Sequence, residues 1–99
     1  KKITNYKNII QSVAEFYDIN TQDLVNRCRK KEVVYPRQVA MFLIREELKK
    51  SFPFIGEKLG GRDHTTVMYA YEKLSKEITT NESLQQEINL IKERMYNKV

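Results

Sequence analysis

Apolar residues recur at helical spacing along almost the whole of this 99-residue chain. Side chains three, four and seven positions apart share one face of a helix, whereas a half-buried strand needs strict alternation, a pattern that we do not find. A chain of this length suffices for one domain that buries roughly 60 to 70% of its unfolded surface. We therefore expect residues 1–99 to form a single all-α domain, a compact helical bundle.

Turn and capping residues divide this bundle into helices. The first helix is expected from about Thr4 to Tyr17, and Asn20 is suited to cap a short second helix. Pro36 suits the first turn of a third helix that continues to Lys50, because the N–H that proline lacks has no partner there. After a polar break at residues 79–83, four apolar residues mark the inner face of a last helix: Leu84, Ile88, Ile91 and Met95.

A glycine pair separates two further helices. Pro53 opens a short helix that must end at Gly60 and Gly61, because paired glycines form a poor helix interior and a good turn. Asp63 is suited to cap a longer helix of about five turns that continues to Ile78. This order predicts a helix-turn-helix at about residues 53–78.

The excess positive charge lies in the first half of the chain. Residues 1–50 carry 11 basic and 6 acidic side chains, whereas residues 51–99 carry 7 of each. Four bases cluster in a basic segment of about residues 27–32, which we expect to be a loop: Arg27, Arg29, Lys30 and Lys31. Like charges so close together are compensated by solvent or by a polyanion. The segment is therefore either a solvated loop or an arm that reaches a DNA minor groove.

The longer helix of the predicted helix-turn-helix is suited to a DNA major groove. Its first turn projects from the end that carries the positive pole of the helix dipole, and consists of Asp63, His64, Thr65 and Thr66. His64 can donate to base acceptors, Thr65 can touch a thymine methyl group, and Asp63 can accept from a cytosine amino group. Lys73 can reach a phosphate. The same four residues are also well suited to cap a helix. A two-helix corner that does not bind DNA therefore remains an alternative.

Other classes of function have weaker support. An enzyme would have to pair Cys28 with His64, but no third orienting group is indicated. A single cysteine and a single histidine exclude an internal disulfide and a Cys/His zinc cage. The longest apolar run, residues 39–44, is far shorter than the about 20 residues of a membrane span. A membrane-surface module and a protein-interaction module that uses the last helix as a docking face remain as alternatives.

Three runs of residues carry a family resemblance. They are Gly-Gly-Arg-Asp-His-Thr-Thr-Val (60–67), Pro-Phe-Ile-Gly (53–56) and Tyr-Pro-Arg-Gln-Val-Ala-Met (35–41). Together they resemble the C-terminal DNA-binding domain of the bacterial DnaA replication initiators, over essentially the whole chain. The resemblance implies a Trp-repressor-like fold that binds DnaA boxes at the replication origin. It also implies a cytoplasmic, nucleoid-associated protein, and the start Lys-Lys-Ile leads us to expect an intracellular piece of a longer polypeptide.

The resemblance further implies a role for individual residues. Arg29 would enter the minor groove, and the first turn at residues 63–66 would work in the major groove. Residues implied to lie on or near the phosphates are Arg27, Lys30, Lys31, Arg37, Gln38, Arg45 and the backbone near Pro53. Two positions depart from the family pattern. Tyr69 stands where the family usually has His, so the contact made from this position stays open. Leu59 stands where the family often has Phe, which we interpret as an exchange of one core side chain for another.

Catalysis and further partners are implied only for the full-length protein. The family has an ATPase module upstream, but these 99 residues contain no Gly-x-x-x-x-Gly-Lys-Ser/Thr loop. We therefore expect this piece to bind DNA without hydrolysing a nucleotide and without a cofactor. ATP or ADP with Mg²⁺, acidic phospholipids and regulatory proteins are implied for the longer chain. Monomeric binding is expected, because no dimerisation heptad extends beyond one short helix.

Overall fold

A computed structural model describes residues 5–97, which form six α-helices and contain no strand. The helices are α1 (Tyr6–Phe16), α2 (Thr21–Val25), α3 (Lys31–Leu48), α4 (Phe52–Lys58), α5 (His64–Glu77) and α6 (Glu82–Asn97). The prediction of an all-α helical bundle is confirmed. Thr4, the predicted start of the first helix, lies outside the described residues.

Side-chain caps begin five of the helices. Asn20 and Asp63, the two predicted caps, accept from the backbone N–H two residues later at 3.0 and 3.3 Å. Asn5, Ser51 and Asn81 each accept from the backbone N–H three residues later. Because the first N–H groups of a helix have no partner within it, these caps determine locally where each helix starts.

Helix α3 forms the centre of the fold. All residues from Val39 to Ile44 are buried, so this stretch is enclosed on every side, as expected for a helix that is apolar all round. Helices α1, α2, α4 and α5 pack against α3, and α6 packs against α1. Buried apolar side chains from all six helices join one core cluster.

Helix α3 begins earlier than the sequence predicts. It starts at Lys31, so Pro36 lies inside the helix and not in its first turn, and that prediction is wrong. The added turn buries Val33, while Glu32, whose carbonyl loses its usual donor at Pro36, lies on the surface where water can satisfy it. Residues 31 and 32 of the basic segment are therefore helical, which corrects the prediction of a loop throughout.

The last two helices settle two further points. Helix α5 has 14 residues, about four turns instead of five, because Ile78 already acts as its C-cap. The apolar seam of α6 is buried, with Leu84 and Ile88 each 2% exposed. This seam completes the core, so the alternative in which it serves as a docking face is wrong.

No helix among residues 5–97 has the length and apolar character that crossing a membrane requires.

Candidate nucleic-acid interface

Helices α4 and α5 pack on each other around a tight turn at residues 60–62. Gly60 and Gly61 have φ of +91° and +68°, in the left-handed region that favours glycine. The backbone N–H of Arg62 donates to the Gly56 carbonyl at 2.9 Å, and a Cβ at Gly56 would overlap the Arg62 carbonyl. The glycines thus allow the close approach of the two helices that a helix-turn-helix needs.

The first turn of α5 is on the surface. Asp63, His64, Thr65 and Thr66 are all exposed, whereas Val67 is completely buried. Val67, Ala70 and Leu74 hold α5 against the core. The end of α5 that carries the positive pole of the helix dipole therefore projects with four polar side chains, as the sequence predicts.

Asp63 and His64 interact within this turn. The His64 Nδ1 atom lies 3.0 Å from Asp63 Oδ1. The pKa of Asp63 is lowered chiefly by the hydrogen bond from the Thr65 backbone N–H, with a further contribution from His64. The carboxylate is thus held in its charged form beside the imidazole. No hydrogen bond joins His64 to Cys28 in the described part of the chain.

The basic segment lies beside the 60–62 turn. Arg27 Nη2 donates to the Gly61 carbonyl at 2.9 Å, across 34 positions of sequence. Lys30 Nζ is 4.0 Å from Asp23 Oδ2. Arg29 is exposed, and within residues 5–97 its guanidinium makes no hydrogen bond or ion pair. The segment therefore presents one arginine with all its donors available next to the helix-turn-helix.

Arg37 does not lie on the surface. It is only 4% exposed, and its guanidinium donates to the backbone carbonyls of Leu24 at 3.2 Å, Asp23 at 2.7 Å and Cys28 at 3.1 Å. Burial lowers the pKa of Arg37. Nε and Nη2 are therefore used inside the domain, where they fix the chain on both sides of the α2 end, and the phosphate contact of Arg37 stays a prediction.

Gln38 and Lys73, both expected near phosphates, lie together. Lys73 Nζ donates to Gln38 Oε1 at 3.2 Å, and lies 3.8 Å from Glu77 Oε2. The ammonium group is also 5.8 Å from the centre of the Tyr35 ring. The pair forms a polar site that joins α3 and α5 on the same face as Tyr35.

Arg45, in the last turn of α3, lies beside the start of α4. Arg45 Nη1 donates to the Lys50 carbonyl at 2.9 Å, and its guanidinium carbon is 4.4 Å from the centre of the Phe52 ring. Pro53 is exposed in the first turn of α4. The Arg45 guanidinium is thus held beside the first turn of α4, the helix that precedes α5.

One feature of this surface was not predicted from the sequence, and another was left open. Arg62 donates to three backbone carbonyls, and nothing in its sequence environment indicates those partners. Tyr69, one turn beyond Thr65 and Thr66, is 62% exposed and extends the surface of α5. Among the described residues no group of His, Cys, Asp or Glu is arranged to hold a metal ion.

The model of a family described as the bacterial DnaA protein helix-turn-helix matches residues 6–74, more than half of the chain. The chain belongs to this family. Relatives include the chromosomal replication initiator protein DnaA of Roseiflexus castenholzii, 48% identical over 89 residues, which are 90% of this chain and 18% of the relative. DnaA of Chloroflexus aggregans is 52% identical over 87 residues, 88% of this chain and 18% of the relative. DnaA of Lactococcus lactis subsp. cremoris is 48% identical over 88 residues, 89% of this chain and 19% of the relative.

The DnaA match covers every residue of the candidate interface. It includes the basic segment, the glycine turn and the exposed first turn of α5. The chain spans less than a fifth of the length of these relatives.

Proposed function

We propose that this domain binds double-stranded DNA sequence-specifically, at DnaA boxes of a bacterial replication origin. The first turn of α5, residues 63–66, enters the major groove, and Arg29 enters the adjacent minor groove. The observation that carries the proposal is the bond from Arg27 to the Gly61 carbonyl at 2.9 Å, which holds the basic segment beside the start of α5. One duplex can then be contacted in both grooves.

The two surfaces suit different parts of the duplex. Hydroxyl, carboxylate and imidazole groups on the first turn of α5 can discriminate base edges in the major groove. A free guanidinium at Arg29 suits a narrow A·T-rich minor groove, where negative potential is concentrated. We expect the phosphates to be contacted by Arg27, Lys30, Lys31, Arg37, Gln38, Arg45 and Lys73, and by the backbone at Pro53.

Fluorescence anisotropy with the 99-residue chain tests the proposal. One labelled duplex carries a DnaA box, and the other has the same base composition in scrambled order. We expect tighter binding of the box at moderate salt, because nonspecific phosphate contacts weaken as salt rises while base contacts persist. Equal affinities for the two duplexes would contradict sequence-specific binding.

Substitution of Arg29 tests the minor-groove role separately. Arg29→Ala should cost about 1–3 kcal/mol on the box and relax the preference at its A·T-rich end. Lys30→Ala, which removes a charge from the same segment, should reduce the salt slope by about one and leave base preference unchanged. If Arg29→Ala binds the box as tightly as the unaltered chain, the minor-groove role is wrong.

Properties of the longer protein follow from the family alone. We propose a cytoplasmic, nucleoid-associated protein in which ATP or ADP with Mg²⁺ is bound outside these 99 residues. Acidic phospholipids and regulatory proteins are proposed as partners of that longer protein. The isolated domain is proposed to bind as a monomer, and sedimentation of the domain with a single-box duplex tests this stoichiometry.

A further inference from the structure

Two arginines connect the basic segment to the helix-turn-helix in opposite directions. Arg27 donates from the segment to the Gly61 carbonyl of the turn. Arg62 donates from the turn toward the segment, with Nη1 3.5 Å from the Asn26 carbonyl and Nη2 3.4 Å from the Cys28 carbonyl. Each element therefore supplies a donor to the backbone of the other.

The guanidinium of Arg62 is also anchored within its own turn. Arg62 Nη1 donates to the Leu59 carbonyl at 2.7 Å, the shortest of its three bonds. Burial lowers the pKa of Arg62, and the neighbouring guanidinium groups of Arg37 and Arg27 lower it further. The site thus tolerates mutual repulsion among arginines because backbone carbonyls accept from each of them.

The Cys28 carbonyl is held from two sides. It accepts from Arg37 Nη2 at 3.1 Å and from Arg62 Nη2 at 3.4 Å. A carbonyl oxygen has two lone pairs, so both bonds can form together. Cys28 directly precedes Arg29, whose own side chain is exposed. The two hydrogen bonds to the Cys28 carbonyl therefore fix the backbone from which the Arg29 side chain projects.

We propose that Arg62 is a positioning residue for DNA recognition. It holds the basic segment so that Arg29 lies at a set distance from the first turn of α5, and it acts on DNA only through Arg29. The inference rests on the proposed function. Its consequence is that the domain selects duplexes by the number of base pairs between the A·T-rich minor-groove tract and the bases contacted by α5.

A set of duplexes with altered spacing tests this role. The A·T-rich tract is moved one base pair toward or away from the rest of the box, and affinities are measured by anisotropy. We expect the unaltered chain to lose at least about tenfold in affinity on either move, and Arg62→Ala to lose less than about threefold. Arg62→Ala should still discriminate the bases contacted by α5. Arg94→Ala, on α6 and paired with Glu15, is the control and should keep the full spacing preference.

A double substitution separates positioning from a direct DNA contact. If Arg62 acts only through Arg29, Arg62→Ala should change affinity by less than about twofold in a chain that already carries Arg29→Ala. An additional loss of tenfold in that background would show that Arg62 contacts DNA itself, and would overturn the proposal. Arg62→Lys keeps the charge but lacks the forked donors, so it should lose the spacing preference as Arg62→Ala does.

Relaxation measurements on the free domain give a readout that needs no DNA. In Arg62→Ala and Arg62→Lys, the backbone order parameters of Cys28 and Arg29 should fall from about 0.85 toward 0.6, while those of α6 stay unchanged. Unchanged order at Cys28 and Arg29 in the folded Arg62→Lys domain would overturn the positioning role. If the unaltered chain binds the box no better than the scrambled duplex, the proposed function fails, and the relaxation data still decide whether Arg62 orders the segment.

Discussion

Lys73 of α5 and Gln38 of α3 are joined by a hydrogen bond of 3.2 Å between Nζ and Oε1. Because the side-chain oxygen of Gln38 accepts from Lys73, the side-chain nitrogen of Gln38 remains available as a donor. Lys73 has three donor hydrogens, and its approach to Glu77 at 3.8 Å uses a second one weakly. The two side chains can therefore present donors from two helices to a single phosphate.

Lys73→Ala should weaken binding to all duplexes by a similar factor and reduce the salt slope by about one, because a phosphate contact carries no base information. Affinities measured on box and scrambled duplexes at several salt concentrations check this. Lys76→Ala, a lysine exposed in the last turn of the same helix, is the matched control. A change in base preference with an unchanged salt slope would contradict the phosphate role.

Thr65→Ala should change which base pair is tolerated at one position of the box, at a cost of about 1–3 kcal/mol for the preferred pair. The cap of α5 persists in this variant because Asp63 accepts from the Thr65 backbone N–H. A selection of bound sequences from a random duplex pool measures the change. Thr80→Ala, exposed in the turn before α6, is the control. A uniform loss across all sequences would instead identify Thr65 as a phosphate contact.

The Asp63–His64 contact predicts the tautomer of the neutral imidazole. With Asp63 Oδ1 3.0 Å from Nδ1, the neutral ring should carry its hydrogen on Nδ1 and present Nε2 to a base amino group as an acceptor, and not as the donor that the sequence alone suggested. Long-range ¹H–¹⁵N spectra of the imidazole above pH 8 measure this. Asp63→Asn keeps a good N-cap but removes the charge, and should shift the ring toward Nε2–H. An Nε2–H tautomer in the unaltered domain would contradict the prediction.

Helix positions and caps were largely predictable from sequence, because the information is local. Asn20, Asp63 and the Gly60–Gly61 pair act on residues within three positions of themselves, so turn and capping preferences apply directly. The start of α3 was not predictable in this way. Burial of Val33 against the rest of the fold adds a turn ahead of Pro36, and that gain depends on tertiary packing.

The outline of the candidate site was also predictable, but its internal supports were not. The exposed first turn of α5 follows from the apolar spacing of the residues after it, which are buried. In the sequence, nothing distinguishes Arg37 and Arg62 from the arginines that lie on the surface. Apart from the Leu59 carbonyl, three positions from Arg62, their partners are backbone carbonyls 9 to 36 positions away, and carbonyls leave no pattern in the side-chain sequence. Charge alone therefore cannot separate an arginine that supports a site from one that contacts a ligand.

The glycine pair of the turn should respond unequally to substitution. Both positions have positive φ, so alanine costs about 1–2 kcal/mol at either from conformation alone. A Cβ at Gly60 would also overlap Arg62 Nη1 and lie 2.9 Å from the Asn26 carbonyl, whereas at Gly61 its nearest neighbour is Arg27 Nη2 at 3.7 Å. Urea unfolding should therefore show a larger loss for Gly60→Ala than for Gly61→Ala. Equal losses would show that the segment moves aside without cost.

Tyr96 of α6 donates its hydroxyl hydrogen to Glu47 of α3, and this bond raises the pKa of Tyr96 to about 12 from 10.0. Because the folded pKa exceeds the unfolded one, this stabilisation is fully present below pH 10 and is lost as pH rises toward 12. Tyr96→Phe should lower the free energy of unfolding at pH 8 by about 1 kcal/mol and flatten part of its alkaline decline, measured by urea titration. Tyr69→Phe, on the exposed face of α5, is the control. An alkaline decline as steep in Tyr96→Phe as in that control would contradict the assignment.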